Sequence, residues 1–132
     1  VVATNQSGIG RGLFDMDTLN AIHDKMHRAV LAAGGRIDAI FYCPHAVDAG
    51  CHCRKPQTGM FERIANCFNI DLPGTPAVGD SLRDLQAAAA VGAKPLLVMT
   101  GKGVLTQTEG GLPEGTLIFA DLAAAADHIV LA

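Results

Sequence analysis

The chain has no tryptophan, one tyrosine and five phenylalanines among its 132 residues. A core built from it must therefore be aliphatic and alanine-rich. Charge is sparse too: charged residues make up 17%, and 10 Lys+Arg against 13 Asp+Glu give a formal net charge of −3. Nucleic-acid-binding surfaces need clustered excess basic charge. None is present, and no run of like charges forms a basic arm or an acidic tail. No apolar stretch approaches the ~20 residues that span a bilayer, so no membrane partner is expected. The first segment lacks the basic start, apolar core and cleavage site of a secretory signal, and a cytoplasmic location is expected. There are only four cysteines, and Cys51 and Cys53 stand too close together to bridge easily. Without a secretory signal the thiols are read as reduced.

Hydrophobic residues make up 49%, which excludes intrinsic disorder, because such a chain can bury enough apolar surface to offset its conformational entropy. The length fits one domain at roughly 100–200 residues each. Val1 to Thr4 is a short apolar run. It ends in Asn5-Gln6-Ser7-Gly8-Ile9-Gly10-Arg11-Gly12, where three closely spaced glycines predict a loop of unusual backbone angles. A helix follows, capped by Asp15 or Asp17, with Leu19, Ile22, Met26, Val30 and Ala33 at helical spacing and Gly34-Gly35 as its stop. Ile37 to Tyr42 reads as a second strand, and residues 43–56 as a loop dense in Cys, His, Gly and Pro. Thr58 is expected to cap a helix through about Phe68, with Cys67 as a buried small hydrophobe on it. Strands are expected over Thr75 to Val78, Pro95 to Met99 and Leu117 to Ala120. Helices are expected over Leu82 to Val91 and from Asp121 to Ile129, and a Gly/Thr-rich loop from Thr100 to Gly115.

Alternating strands and helices predict an α/β fold: a Rossmann-like parallel sheet with helices on both faces. Ligands of such sheets sit beyond the carboxyl ends of the strands. The polar segments Thr4 to Ser7, Cys43 to Lys55, Gly79-Asp80 and Thr100-Gly101 all follow strand ends, and are expected to converge on one edge.

The strongest chemical signal is Cys43-x-His45-x5-Cys51-x-Cys53. Three thiolates and one imidazole complete the tetrahedral shell of a structural zinc ion. Pro44 stiffens the loop and Gly50 permits its return, while His52 is expected to point outward. The bland alternative is a loop that happens to hold free cysteines. Arg54-Lys55-Pro56 follows at once, so the metal would lock this backbone and aim a guanidinium and an ammonium suited to an anion; by itself the pair is no more than a solvated basic dipeptide. Asp80, at a strand end entering a helix, is placed to hold Mg2+ through a carboxylate oxygen, although Gly-Asp before a helix is also a common cap. Asp84, one turn on, either supports it or merely favours the helix N-terminus. Thr4, Asn5, Gln6 and Ser7 offer a hydroxyl and free backbone N–H groups to phosphate oxygens, or form a plain strand-to-helix turn.

Two look-alikes are set aside. Asp15-Met16-Asp17 resembles a paired-aspartate nucleophile motif but does not follow an apolar strand, so both aspartates are read as first-turn caps. His23-Asp24-Lys25-Met26-His27 mimics a helical zinc motif, yet has Asp in place of the Glu base.

Together these segments resemble the haloacid dehalogenase superfamily of aspartyl phosphatases, and within it the D-glycero-D-manno-heptose-1,7-bisphosphate 7-phosphatase family. The resemblance rests on Thr4 to Gly12, on Cys43-Pro44-His45 with Cys51 to Pro56, and on Val78 to Ala88. It implies attack by an aspartate on the 7-phosphate, a phosphoaspartate, and a second aspartate as acid and base, in heptose and lipopolysaccharide precursor synthesis. Thr4 would hydrogen-bond the phosphoryl oxygens. Asn5, Gln6, Ser7, Arg54 and Ser81 would bind substrate, Lys55 would stabilise the transferring group, and Asp80 would ligate Mg2+. The implied partner is a sugar phosphate, and a monomer is expected. The family's Asp-x-Asp motif, on a strand preceding Thr4-Asn5-Gln6, is absent from this sequence. Residues 1–132 are therefore expected to be a phosphatase domain truncated at its N-terminus. Such a domain lacks its first strand, has an apolar gap in the sheet and is inactive alone. The alternatives are a histidinol-phosphate phosphatase and a non-catalytic zinc-stabilised binding module.

Overall fold

The computed structural model describes residues 1–131. The chain divides into two compact units, one from Val1 to Arg54 and one from Lys55 onward. The first contains β1 (Val2–Asn5), α1 (Ser7–Gly10), α2 (Met16–Ala32) and β2 (Ile40–Cys43). The second contains α3 (Gly59–Phe68), β3 (Pro76–Gly79), α4 (Leu82–Ala90), β4 (Lys94–Val98), α5 (Gly103–Glu109), β5 (Leu117–Phe119) and α6 (Leu122–Leu131). All strand pairs are parallel, which gives the expected α/β class. Pairing falls into two sheets, β1-β2 and β3-β4-β5. Among the described residues no strand pairs with both.

In the first unit β1 and β2 run in register from Val2 opposite Ile40 to Asn5 opposite Cys43, joined through α2. Asp15 is the residue that caps α2: its side chain accepts from the Thr18 amide at 2.9 Å. Gly34, at φ +88°, ends the helix, and the Gly35 amide returns to the Val30 carbonyl at 2.9 Å. Of the expected apolar stripe Leu19 is fully buried, whereas Ile22 is 52% exposed and Ala33 is exposed. His23 packs tilted on Tyr42 with ring centroids 6.0 Å apart, and Asp24 pairs with Arg28, so the histidine look-alike is an ordinary helix face.

Two of the expected loops contain helix. Gly8 and Gly10 lie in α1, and of the three glycines only Gly12 has a left-handed φ, +72°. The first two serve close approach instead. A Cβ on Gly8 would stand 2.2 Å from the Phe14 ring, and one on Gly10 2.6 Å from the Ala46 amide nitrogen.

In the second unit β4 is central. Pro95, Leu96, Leu97 and Val98 are all buried, as a parallel strand covered on both faces requires. Leu96 and Val98 pack with Ala125 of α6 and with Phe119. The alanines of α4 let it sit close, with Ala87 and Ala88 fully buried, and Gly92 at φ +77° closes it. β3 pairs only with β4, and Pro76 opens it, a position that an edge strand tolerates. Cys67 is exposed rather than buried, because α3 turns Met60 and Ile64 inward instead. The segment expected as a loop from Thr100 to Gly115 carries α5. Among the described residues no helix is long and apolar enough to cross a membrane.

Candidate active site and metal knot

The first unit gathers its chemistry where β1 and β2 end. Cys43 closes β2 beside Asn5. The ligand atoms of Cys43, His45, Cys51 and Cys53 all lie within 4.8 Å of one another. Cys43 Sγ is 3.4 Å from His45 Nδ1, 3.5 Å from Cys51 Sγ and 2.8 Å from Cys53 Sγ, and His45 Nδ1 is 3.2 Å from Cys53 Sγ. The donor set fits a tetrahedral zinc ion, and the sulfurs stand closer, at 2.8 and 3.5 Å, than the about 3.8 Å between two sulfurs bound to one such ion. Gly50, at φ +70°, makes the return between the two halves of the knot.

The thiols divide sharply in acidity. Burial opposes ionisation of Cys51, but hydrogen bonds from the Arg54 backbone and from Cys43, Cys53 and His45 bring it down to about 6. Burial, followed by the hydrogen bonds and charges of Cys43 and Cys51, pushes Cys53 up to about 12.

The knot is tied to the loop after β1. The Gln6 amide donates to the Cys43 carbonyl at 2.7 Å, and the Gly10 amide to the Pro44 carbonyl at 2.7 Å. Thr4 Oγ1 accepts from Gln6 Nε2 at 3.0 Å. Thr4, Asn5, Gln6 and Ser7 thus form one short polar segment against the knot. Arg54 follows Cys53, and its Nη1 is buried with no hydrogen-bond partner among the described residues.

The second unit holds a charge pair at the end of β3. Lys55, preceding a cis peptide to Pro56, is buried. Its Nζ lies 2.6 Å from Asp84 Oδ1. Asp84 Oδ2 accepts from the Ser81 amide at 3.2 Å, so the carboxylate reaches back over the first turn of α4. Burial alone would raise the Asp84 carboxyl, but the Lys55 ammonium and the Ser81 groups outweigh it and hold it below the ordinary carboxylate range. A Cβ on Gly79 would lie 2.4 Å from Asp84 Cβ, so the glycine before Asp80 admits this arrangement.

Asp80 is held from the other side. Its Oδ2 accepts from the Lys102 amide at 2.8 Å, and its carbonyl accepts from Thr106 Oγ1 at 2.7 Å. Its Oδ1 makes no hydrogen bond among the described residues. Mg2+ is held by one or two carboxylates with waters and substrate phosphates; a single free carboxylate oxygen at this strand end fits that demand.

A family model described as HAD-hydrolase-like matches residues 52–125. The D-glycero-beta-D-manno-heptose-1,7-bisphosphate 7-phosphatase of Bordetella bronchiseptica is 62% identical over 130 residues, which cover 98% of this chain and 73% of that protein. The chain belongs to the haloacid dehalogenase-like hydrolases, in the heptose-bisphosphate 7-phosphatase family. The Pseudomonas aeruginosa member is 52% identical, over 98% of this chain and 72% of its own length. The crystal structure of the B. bronchiseptica D,D-heptose 1,7-bisphosphate phosphatase, complexed with magnesium and phosphate, superposes with a TM-score of 0.94. It is 61% identical and the match covers 96% of this chain and 71% of that one.

For this heptose-bisphosphate 7-phosphatase family member, sequence reasoning placed Lys55, Ser81, Asp80, His45, Cys51 and Cys53 in the loops where they stand, while Cys43, expected to open a loop, is the last residue of β2. It named Thr100-Gly101 among the polar strand ends expected on one edge, but passed over Lys102 and Thr106. Nothing after Thr100-Gly101 marked the start of a helix, so Lys102 and Thr106 were read as part of a loop.

Proposed function

We propose that the chain carries the substrate-binding and charge-stabilising groups of a phosphatase. The enzyme removes the 7-phosphate of D-glycero-D-manno-heptose 1,7-bisphosphate, in heptose precursor synthesis for lipopolysaccharide. The observation that carries this reading is the buried Lys55 ammonium locked to Asp84 one helical turn from Asp80, in a chain 62% identical to a protein of that name.

Lys55 Nζ and Thr4 Oγ1 stabilise the charge on the transferring phosphoryl oxygens. Preorganised donors of this kind supply most of the catalysis in phosphoryl transfer. Asn5, Gln6, Ser7, Arg54 and Ser81 bind the sugar phosphate. Arg54 Nη1, buried without a hydrogen-bond partner among the described residues, suits an anionic oxygen. Asp80 Oδ1 would hold Mg2+, which when bound neutralises the developing charge. Cys43, His45, Cys51 and Cys53 would hold zinc in a closed, structural shell. Asp15, the first of the paired aspartates in this chain, caps α2 through the Thr18 amide and is not read as a nucleophile. Residues 1–132 act as part of one phosphatase domain, as a cytoplasmic monomer.

The test is phosphate release with Mg2+ from heptose bisphosphate and from histidinol phosphate. Two proteins are compared: the 132-residue chain, and the chain fused to the segment of the B. bronchiseptica relative that the match leaves uncovered. The fusion is expected to prefer the heptose substrate and the chain alone to be inactive. Turnover by the chain alone, or preference for histidinol phosphate, contradicts the reading.

A further inference from the structure

The turn from Gly101 to Thr106 fits around Asp80 more closely than a connecting loop requires. Asp80 receives one hydrogen bond on its side chain, from the Lys102 amide at 2.8 Å, and one on its carbonyl, from Thr106 Oγ1 at 2.7 Å. Thr106 is a polar residue buried on α5, and this bond accounts for its burial. Gly101 has a left-handed φ of +59°, and a Cβ there would stand 2.3 Å from Asp80 Oδ2. A Cβ on Gly103 would stand 1.8 Å from the Val98 carbonyl oxygen. The two glycines therefore do different things. Gly103 seats the start of α5 against the end of β4, and Gly101 brings the Lys102 amide up to the carboxylate.

We propose that Gly101, the Lys102 amide and Thr106 are the positioning elements of the cation ligand. They occupy Asp80 Oδ2 and pin its backbone, so that Oδ1 is presented to the divalent cation as a single, fixed donor. This rests on the reading of Asp80 as that ligand. Partners of this kind fix a ligand's orientation, and their loss typically weakens metal affinity by about 10–100-fold. The neutral amide leaves the carboxylate its charge while removing its rotamer freedom.

The experiment uses Mn2+ alone as the probe on the 132-residue chain, with no substrate and no turnover. Mn2+ binding is measured for the wild type and for Asp80→Asn, Thr106→Val, Thr106→Ser and Gly101→Ala, with thermal melts alongside. In the wild type, sub-stoichiometric Mn2+ is expected to broaden the Lys102 amide resonance, because that N–H shares a carboxylate with the ion. Thr106→Val and Gly101→Ala should weaken Mn2+ by about 10-fold or more, while Thr106→Ser, which keeps the hydroxyl, should bind like the wild type. If Asp80→Asn leaves Mn2+ affinity unchanged, the assignment of Asp80 as ligand fails. If the Lys102 amide stays sharp, the assignment of Asp80 as ligand fails likewise; if Asp80→Asn weakens binding but Thr106→Val and Gly101→Ala do not, the positioning proposal fails on its own. Should Gly101→Ala melt early, the contrast between Thr106→Val and Thr106→Ser still decides.

Discussion

Lys55 Nζ stands 2.6 Å from Asp84 Oδ1, with the two side chains only 11% and 17% exposed. A charge pair so far out of water gains from its Coulomb attraction only if its other valences are satisfied. Here the second carboxylate oxygen takes the Ser81 amide. Removing one member leaves the other charge buried and uncompensated. Asp84→Asn is therefore expected to destabilise the chain by about 3 kcal/mol, and Lys55→Met by a similar amount. The double variant should recover a large part of the loss. A double-mutant cycle by urea denaturation measures the coupling.

The same pair sets an acid limit. Asp84 titrates below its ordinary range, because Lys55 and Ser81 outweigh the effect of burial. A carboxyl that is more acidic when folded stabilises the protein above its unfolded pKa, roughly 3.9 for Asp. That contribution is lost as pH falls through the folded value. Urea midpoints measured between pH 7 and pH 3 should fall on acidification, and Asp84→Asn should flatten the lower part of that curve.

The Cys/His knot is expected to take up one zinc ion and to melt at lower temperature after chelation. Cys51→Ser should lose the zinc. Cys67, exposed on α3 and outside the knot, should be replaceable by Ser with zinc content unchanged. Metal analysis of the purified proteins checks both statements.

Gly10 offers a separate handle on the knot. A Cβ there meets the Ala46 amide nitrogen at 2.6 Å and the Pro44 carbonyl at 2.8 Å. Both are backbone atoms on either side of His45, so neither can swing away. Gly10→Ala should cost about 1–3 kcal/mol, as overpacking does, and lower zinc affinity. At Gly8 the obstacle is the Phe14 ring, a side chain that can move. Gly8→Ala should leave zinc affinity nearer the wild type. Competition with a chromogenic chelator measures both.

The parts of this site that depend on residue type and local spacing were legible in the sequence. Thiol and imidazole spacing marked the knot, and Gly-Asp at a strand end marked Asp80. What depends on tertiary approach was not. Gly8 and Gly10 looked like turn residues because a glycine that makes room for a neighbour reads the same as one that adopts a positive φ. Asp84 had two open roles until Lys55, 29 positions earlier, was found against it. The α5 clamp was invisible because α5 is seven residues long with no acidic residue in its first turn. A helix that short carries too little periodicity to stand out from a Gly/Thr-rich loop. The apolar stripe of α2 was legible, but not that Ile22 within it would stand 52% exposed.

The most direct measurement is the identity of the phosphate released. With the fused protein, Mg2+ and heptose 1,7-bisphosphate, 31P NMR should show the 7-phosphate signal replaced by inorganic phosphate while the anomeric 1-phosphate persists. Lys55→Met should abolish that change. Loss of the 1-phosphate instead, or unchanged turnover by Lys55→Met, contradicts the account.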